Sequence, residues 1–243
     1  MEELVLIPKK YRCLSGSGLK VLAVVTMLID HIGATFPRST ASIVWHIGKN
    51  RLMLYTVMRL IGRISFPIYA FLLVEGFLHT SNRERYGIRL ALFAVLSELP
   101  WNLLHAAKWQ YETQNVFFTL LLGYLGLCLV EKIREEGGKD PKSILFLLAT
   151  FVLASVLKAD YGSSGYGFIL MLYLLREQPL FQAVVGACFL NSRWQAGLAF
   201  LPIGLYNGKR GFLKGKTASI LFYLIYPVHM LIFYWIKKNT IGY

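Results

Sequence analysis

The sequence predicts an all-α fold, a polytopic transmembrane helical bundle of about nine helices, on three observations. Apolar residues fill 56% of the 243 positions, and the mean hydropathy is +0.50. Only 16% of residues are charged, too few to coat a soluble core of this size. Those charges are bunched between apolar runs, the pattern of helices threaded through lipid. Residues 1–243 therefore read as a single integral membrane domain, with no room for a separate soluble one.

A helix rising 1.5 Å per residue needs about 20 apolar residues to cross ~30 Å of hydrocarbon. The first such run, 18–36, follows Lys9, Lys10 and Arg12. It resembles a signal anchor, because it is too long for a cleaved signal peptide and carries Asp30 and His31. Clear candidates follow at 54–77, 88–106 and 116–130, and 218–236 closes the series. Residues 143–157 form a shorter uninterrupted run. The runs 165–175, 180–190 and 194–206 fall short of a crossing. They are read as tilted helices or as half-membrane elements packed on protein, which gives seven to nine spans.

Lys and Arg total 26 against 13 Asp and Glu. On a soluble chain that excess would raise the question of nucleic acid, but here the basic residues sit at helix ends and set topology. With the amino terminus in the cytoplasm, sixteen basic residues fall inside and eight outside, Arg38, Lys49 and Arg51 among the latter. Arg59 and Arg63 remain within a span. The expected orientation is amino terminus cytoplasmic and carboxyl terminus (Tyr243) external. Cys13, Cys128 and Cys188 lack the spacing of a disulfide framework or a zinc site, and no metal is expected. No P-loop, GxSxG, HExxH or dinucleotide fingerprint is present.

An ionisable residue at membrane depth costs roughly 2.5–3.5 kcal/mol on insertion scales, so each one needs a reason. Asp30 and His31 lie about 18 Å from the inner end of the first run. Arg63, about 13 Å into a helix running back inward, reaches nearly the same layer and is the expected ion-pair partner of Asp30. Glu98 and Asn102, at i and i+4, share a helix face at middle to outer depth, and His229 arrives at a similar level from the last run. Asn115 and the turn at Asp160 and Tyr161 sit at outer helix ends; Glu75 and His79 sit at an inner one, where snorkelling accounts for them equally well. Polar glue between helices explains any one of these residues. It explains poorly two histidines beside carboxylates at one depth. Asp30 and His31 are neighbours whose side chains point about 100° apart, so His31 must take an orienting partner from another helix.

Several stretches in order resemble the TraX family of bacterial inner-membrane proteins. They are Met27-Leu28-Ile29-Asp30-His31-Ile32-Gly33, Arg59-Leu60-Ile61-Gly62-Arg63 with Phe66-Pro67, and Ala70 through Phe77 with His79-Thr80. Arg89-Leu90, Ser97-Glu98-Leu99-Pro100, Gln114 through Leu120, Asp160-Tyr161-Gly162 and Tyr226-Pro227-Val228-His229 complete the set. The resemblance implies a multi-pass acetyltransferase of the bacterial inner (plasma) membrane, a distant branch of the transmembrane acyltransferases. It implies acetyl-CoA as co-substrate, His31 as the matching catalytic histidine, and a pilin-like peptide amino terminus or a cell-envelope glycan as acceptor. The residues fit such chemistry: acyl transfer needs a base for the acceptor's proton and donors for the oxyanion. His31 is the expected general base, with Asp30, Arg63, Glu98 and His229 in the catalytic layer. Asn102 and Asn115, with Arg63, are candidate oxyanion donors, and Asn102, Asn115, Asp160, Tyr161 and Glu75 are candidate acceptor contacts. Lys20, Arg83, Arg85, Arg89, Lys209 and Arg210 are available for the phosphates of CoA at the inner mouth. The rival classes are a transporter or channel with a polar relay, and a non-catalytic membrane assembly factor.

Overall fold

A computed structural model describes residues 6–36, 43–47, 50–138, 140–189 and 191–240, with the backbone alone at 43–47, 50, 51, 191–194 and 216. Arg38, Lys49 and Tyr243, used above for orientation, and Lys139, one of the sixteen basic residues counted inside, lie outside the described residues. The protein is an all-α polytopic bundle, and every predicted run is helical. The elements are α1 Gly16–Thr35, α2 Leu54–Gly62, α3 Ser65–His79, α4 Arg83–Ala106 and α5 Val116–Glu135. They continue with α6 Pro141–Val156, α7 Gly162–Leu174, α8 Pro179–Phe189, a 3₁₀ segment Asn191–Ala199, α9 Phe200–Gly204 and α10 Gly215–Thr240. Among the described residues five helical stretches are long and apolar enough to cross a membrane, α2 and α3 counting together as one. The helix starts use readable chemistry. Ser15, Asn82, Asn115 and Asp140 each accept a backbone N–H of the first turn, and Pro141 stands where its missing donor costs nothing.

Two features depart from the sequence expectation. The stretch between α1 and α2 contains an antiparallel hairpin, β1 Ile43–Ile47 with β2 Asn50–Met53, where only a loop is expected. The run expected as one helix over 54–77 breaks at Arg63 and Ile64: the Arg63 amide is shared between Arg59 O and Leu60 O, and the Ile64 amide turns to the i−3 carbonyl of Ile61.

α1 packs on α2, α3 and α10; α4 packs on α5 and α10; and α7 fills the space against α3, α5 and α6. The α1–α2 contact is close because glycines face it. A Cβ on Gly33 would come within 2.9 Å of Met58 Cβ, and one on Gly62 would overlap Asp30 Cβ. Small residues let helix backbones approach in this way inside a membrane. α6 turns Leu145, Phe146, Leu148, Val152 and Val156 outward, an apolar face suited to lipid and unsuited to water.

Both ends of the bundle are pinned. At one end the amino-terminal segment lies against the stretch before α10. Leu14 N–H donates to Leu205 O at 2.9 Å, Gly16 N–H to Lys209 O at 2.8 Å and Ser17 N–H to Arg210 O at 2.9 Å. At the other end Gln114 N–H donates to Lys158 O at 3.1 Å, tying the α4–α5 connection to the α6–α7 turn. The start of α1 and the stretch 205–210 therefore share one end, as an even number of crossings between them requires.

Candidate functional site

A cavity of about 970 Å³ runs through the bundle, walled by α1, α2, α3, α4, α5 and α10. Lys20, Arg89 and Arg210 line it at the end that holds the start of α1. Asp30, His31, Arg59, Arg63, Phe117 and Tyr226 line its middle, and Trp101, His105, Tyr111 and Thr113 line it toward the far end.

In the middle layer His31 Nδ1 and His229 Nε2 are 2.7 Å apart. The roles along this contact follow from the next bond. His229 Nδ1 lies 2.8 Å from the carbonyl oxygen of Ile225, which can only accept, so Nδ1 carries the proton. With both rings neutral, His229 Nε2 is then the acceptor and His31 Nδ1 the donor. The lone pair of His31 is left on Nε2. The orienting partner that His31 needs from another helix is thus His229 of α10. His229 is 6% exposed and stands behind His31, which lines the cavity.

Asp30, the residue expected to pair with Arg63, forms an ion pair with Arg59, whose Nη1 lies 2.5 Å from Asp30 Oδ2. Arg59 occupies the last turn of α2, held against α1 by Gly33 and Gly62, whereas Arg63 caps that helix at the turn into α3. Arg63 still lines the cavity.

Three residues expected in the catalytic or acceptor layer serve the backbone instead. Asn115 caps α5, accepting from Phe117 N–H at 3.0 Å, and its amide donates to Glu98 Oε2 at 2.7 Å and Ala94 O at 2.8 Å. Glu98 is accordingly committed to holding α5 on α4. Asn102 donates to Trp109 O at 2.8 Å. Glu98, Asn102 and Asn115 are not among the residues lining the cavity, which corrects the expectation that the asparagines offer free oxyanion donors. Asp160 and Tyr161 do line it, the Tyr161 ring stacked on Phe66 with centroids 3.6 Å apart. Glu75 lines it nearer the amino-terminal end, 3.9 Å from His79.

Of the six expected phosphate contacts, Lys20, Arg89 and Arg210 face the cavity, while Arg83, Arg85 and Lys209 do not. Arg83 lies over the Phe77 ring at 4.6 Å, and Arg85 and Lys209 are exposed at a helix start and in a turn. Arg89 lies over the Tyr86 ring at 5.5 Å, and its buried Nε has no hydrogen-bond partner among the described residues. A buried guanidinium edge left open beside two further cations has the chemistry to receive an anion. Sequence reasoning missed Arg59, His105 and Tyr226 as cavity residues. His105 Nδ1 is fixed on Trp101 O at 2.9 Å, and its ring lies between Trp101 and Tyr111. The i−4 carbonyl at the end of an apolar helix is the only sequence signal for it.

The family model described as TraX protein matches residues 15–237. A probable fimbrial assembly protein FimC of serogroup H1 from Dichelobacter nodosus is 29% identical over 247 residues, covering 89% of this chain and 93% of its own length. An uncharacterised protein from Rickettsia prowazekii is 29% identical over 121 residues, 49% of this chain and 37% of its own. No solved structure matches.

Proposed function

The chain belongs to the TraX family, and from that premise we propose that it is a membrane-embedded acetyltransferase, moving an acetyl group from acetyl-CoA to an amine or hydroxyl acceptor. One observation carries the reading. The hydrogen-bond chain from Ile225 through His229 to His31 leaves an unprotonated ring nitrogen on a residue lining the cavity. Acyl transfer needs such a base. His31 Nε2 takes the acceptor's proton as its nitrogen or oxygen attacks the thioester carbonyl. The new C–N or C–O bond forms, the C–S bond breaks, and the proton passes to the leaving thiolate as CoA-SH. His229 fixes the ring, as the third member of a base-and-orienter set does elsewhere.

The cationic end suits the phosphates of CoA. Eleven residues of α1, about 16 Å, separate Lys20 from His31, a distance that an extended pantetheine arm covers. The excess of basic residues on that side supports a cytoplasmic placement, in the plasma membrane of a bacterium. Acetyl-CoA then enters from inside, and the acceptor reaches the histidine layer from the outer end. The fimbrial-assembly name of the D. nodosus relative favours a pilin-like peptide amine over a cell-envelope glycan. Detergent-purified protein should bind radiolabelled acetyl-CoA and release its thiol in the presence of a short peptide amine. A cavity touching both ends also suits a conduit, which would do neither.

A further inference from the structure

Nothing described so far uses the hydroxyl of Tyr226. Its ring, 5% exposed, sits on α10 one turn before His229, with centroids 6.2 Å from the His31 ring and 5.2 Å from Phe117. Tyr226 lines the cavity, and among the described residues its buried hydroxyl finds no acceptor for its proton. An O–H taken out of water with nothing to donate to is rare in a folded protein and points to an acceptor that arrives later.

The second observation lies on α5. The first amides of a helix have no partner within it and carry the positive end of its dipole. Here Phe117 N–H is taken by Asn115 Oδ1 and Phe118 N–H by Asn115 O at 3.1 Å. The remaining amide of that turn, Val116 N–H, stands beside Tyr226 Oη, and Val116 also lines the cavity. Two carboxylates stand near the same hydroxyl, Glu98 and Asp160. They disfavour a bare negative charge, so an oxyanion is tolerated here only where donors are aimed at it.

Resting on the acetyltransferase reading, we infer that Tyr226 is a catalytic residue, whose O–H, with Val116 N–H at the start of α5 behind it, donates to the thioester carbonyl oxygen as that oxygen becomes an oxyanion opposite His31. As the acceptor atom bonds to the carbonyl carbon, the π pair moves to oxygen and the acceptor's proton goes to His31 Nε2. The pair then returns, the C–S bond breaks, and the thiolate takes the proton from His31. Tyr226 keeps its own proton throughout. The asparagine amides are not placed to serve instead: Asn115 gives both amide hydrogens to Ala94 O and Glu98, and neither Asn102 nor Asn115 lines the cavity.

Tyr226→Phe removes one oxygen and keeps the ring against Phe117 and His31. With acetyl-CoA and a short peptide amine, kcat for thiol release should fall roughly 10²–10³-fold, the usual loss for one oxyanion donor. Acetyl-CoA affinity, read by equilibrium binding, should stay within about threefold, since the interaction forms in the transition state. A variant keeping more than about a tenth of the parent kcat, or losing affinity alone, overturns the assignment. Fluorinated tyrosine at position 226 leaves packing intact, and kcat should follow the phenol's acidity; a flat response also overturns it. A parent protein that neither binds acetyl-CoA nor releases its thiol overturns the acetyltransferase reading, and that failure shows before any variant is made.

Discussion

His31 and His229, 198 residues apart in the chain, meet Nδ1 to Nε2 at 2.7 Å within the bundle. The contact has a direction, because the Ile225 carbonyl at 2.8 Å settles which nitrogen of His229 carries a proton. With both rings neutral, the hydrogens then run from His31 to His229 and from His229 to the Ile225 carbonyl. The ring that lines the cavity keeps its lone pair on Nε2, and the ring behind it fixes its orientation.

In the proposed reaction the two histidines separate by mutation. His31→Ala should bind acetyl-CoA as the parent does and lose roughly 10²–10⁴ in transfer rate, the contribution of a positioned base. His229→Ala should keep partial turnover, and His229→Gln should recover part of the loss, because the Gln carbonyl can still accept from His31 Nδ1–H. Single-turnover rates beside equilibrium binding check this. Equal rates for His229→Ala and the parent would remove His229 from the site.

The pairing of Asp30 with Arg59 is testable as a coupling. Asp30→Ala and Arg59→Ala should each lower stability by about 1–3 kcal/mol, since each removes one partner of a charged contact. Asp30→Asn with Arg59→Gln should recover much of that. Thermal unfolding in detergent should give a larger interaction energy for Asp30 with Arg59 than for Asp30 with Arg63.

Gly62→Ala should be as damaging as either. The added methyl overlaps Asp30 Cβ, so α1 must move off α2, at a cost of about 1–3 kcal/mol for overpacking alone. Because His31 follows Asp30, transfer should fall together with the melting temperature.

Arg89→Gln should raise KM for acetyl-CoA about tenfold or more with kcat little changed, because a phosphate contact binds ground and transition states alike. Acetyl-pantetheine, which lacks the nucleotide phosphates, should react equally with parent and variant. Sensitivity of that truncated substrate to Arg89→Gln would place the residue near the chemistry instead.

Orientation follows from labelling. In a background with Cys13, Cys128 and Cys188 replaced, an impermeant thiol reagent on intact cells should modify Trp109→Cys and spare Phe212→Cys. Both positions are well exposed, at 80% and 69%, on opposite ends of the bundle. The reverse pattern would move the CoA entrance to the outer face.

The bundle was legible because a membrane span needs only length and apolarity, both written in the runs from 18–36 to 218–236. The helix break at Arg63 was not, since the dip in hydropathy made by Arg59, Gly62 and Arg63 reads equally well as polar residues within one continuous span. With a continuous helix assumed, Arg59 and Arg63 are one turn apart on the same face. Asn115 stood before an apolar run, the position of an N-cap, and that signal outweighed its reading as a free donor. Tyr226 was hidden by company: among so many aromatic residues, a single hydroxyl lacking an acceptor is visible only when its neighbours are placed.

The hydrogen-bonded strap that ties Leu14, Gly16 and Ser17 to residues 205–210 has a consequence for biosynthesis. It brings α10 beside α1, and α10 carries both His229 and Tyr226. A nascent chain that has inserted α1 through α9 already holds Lys20, Arg89 and His31 but lacks the two side chains that α10 brings. In the proposed reaction such a chain would turn over no faster than a His229→Ala, Tyr226→Phe double variant, so full activity would wait until α10 has docked beside α1.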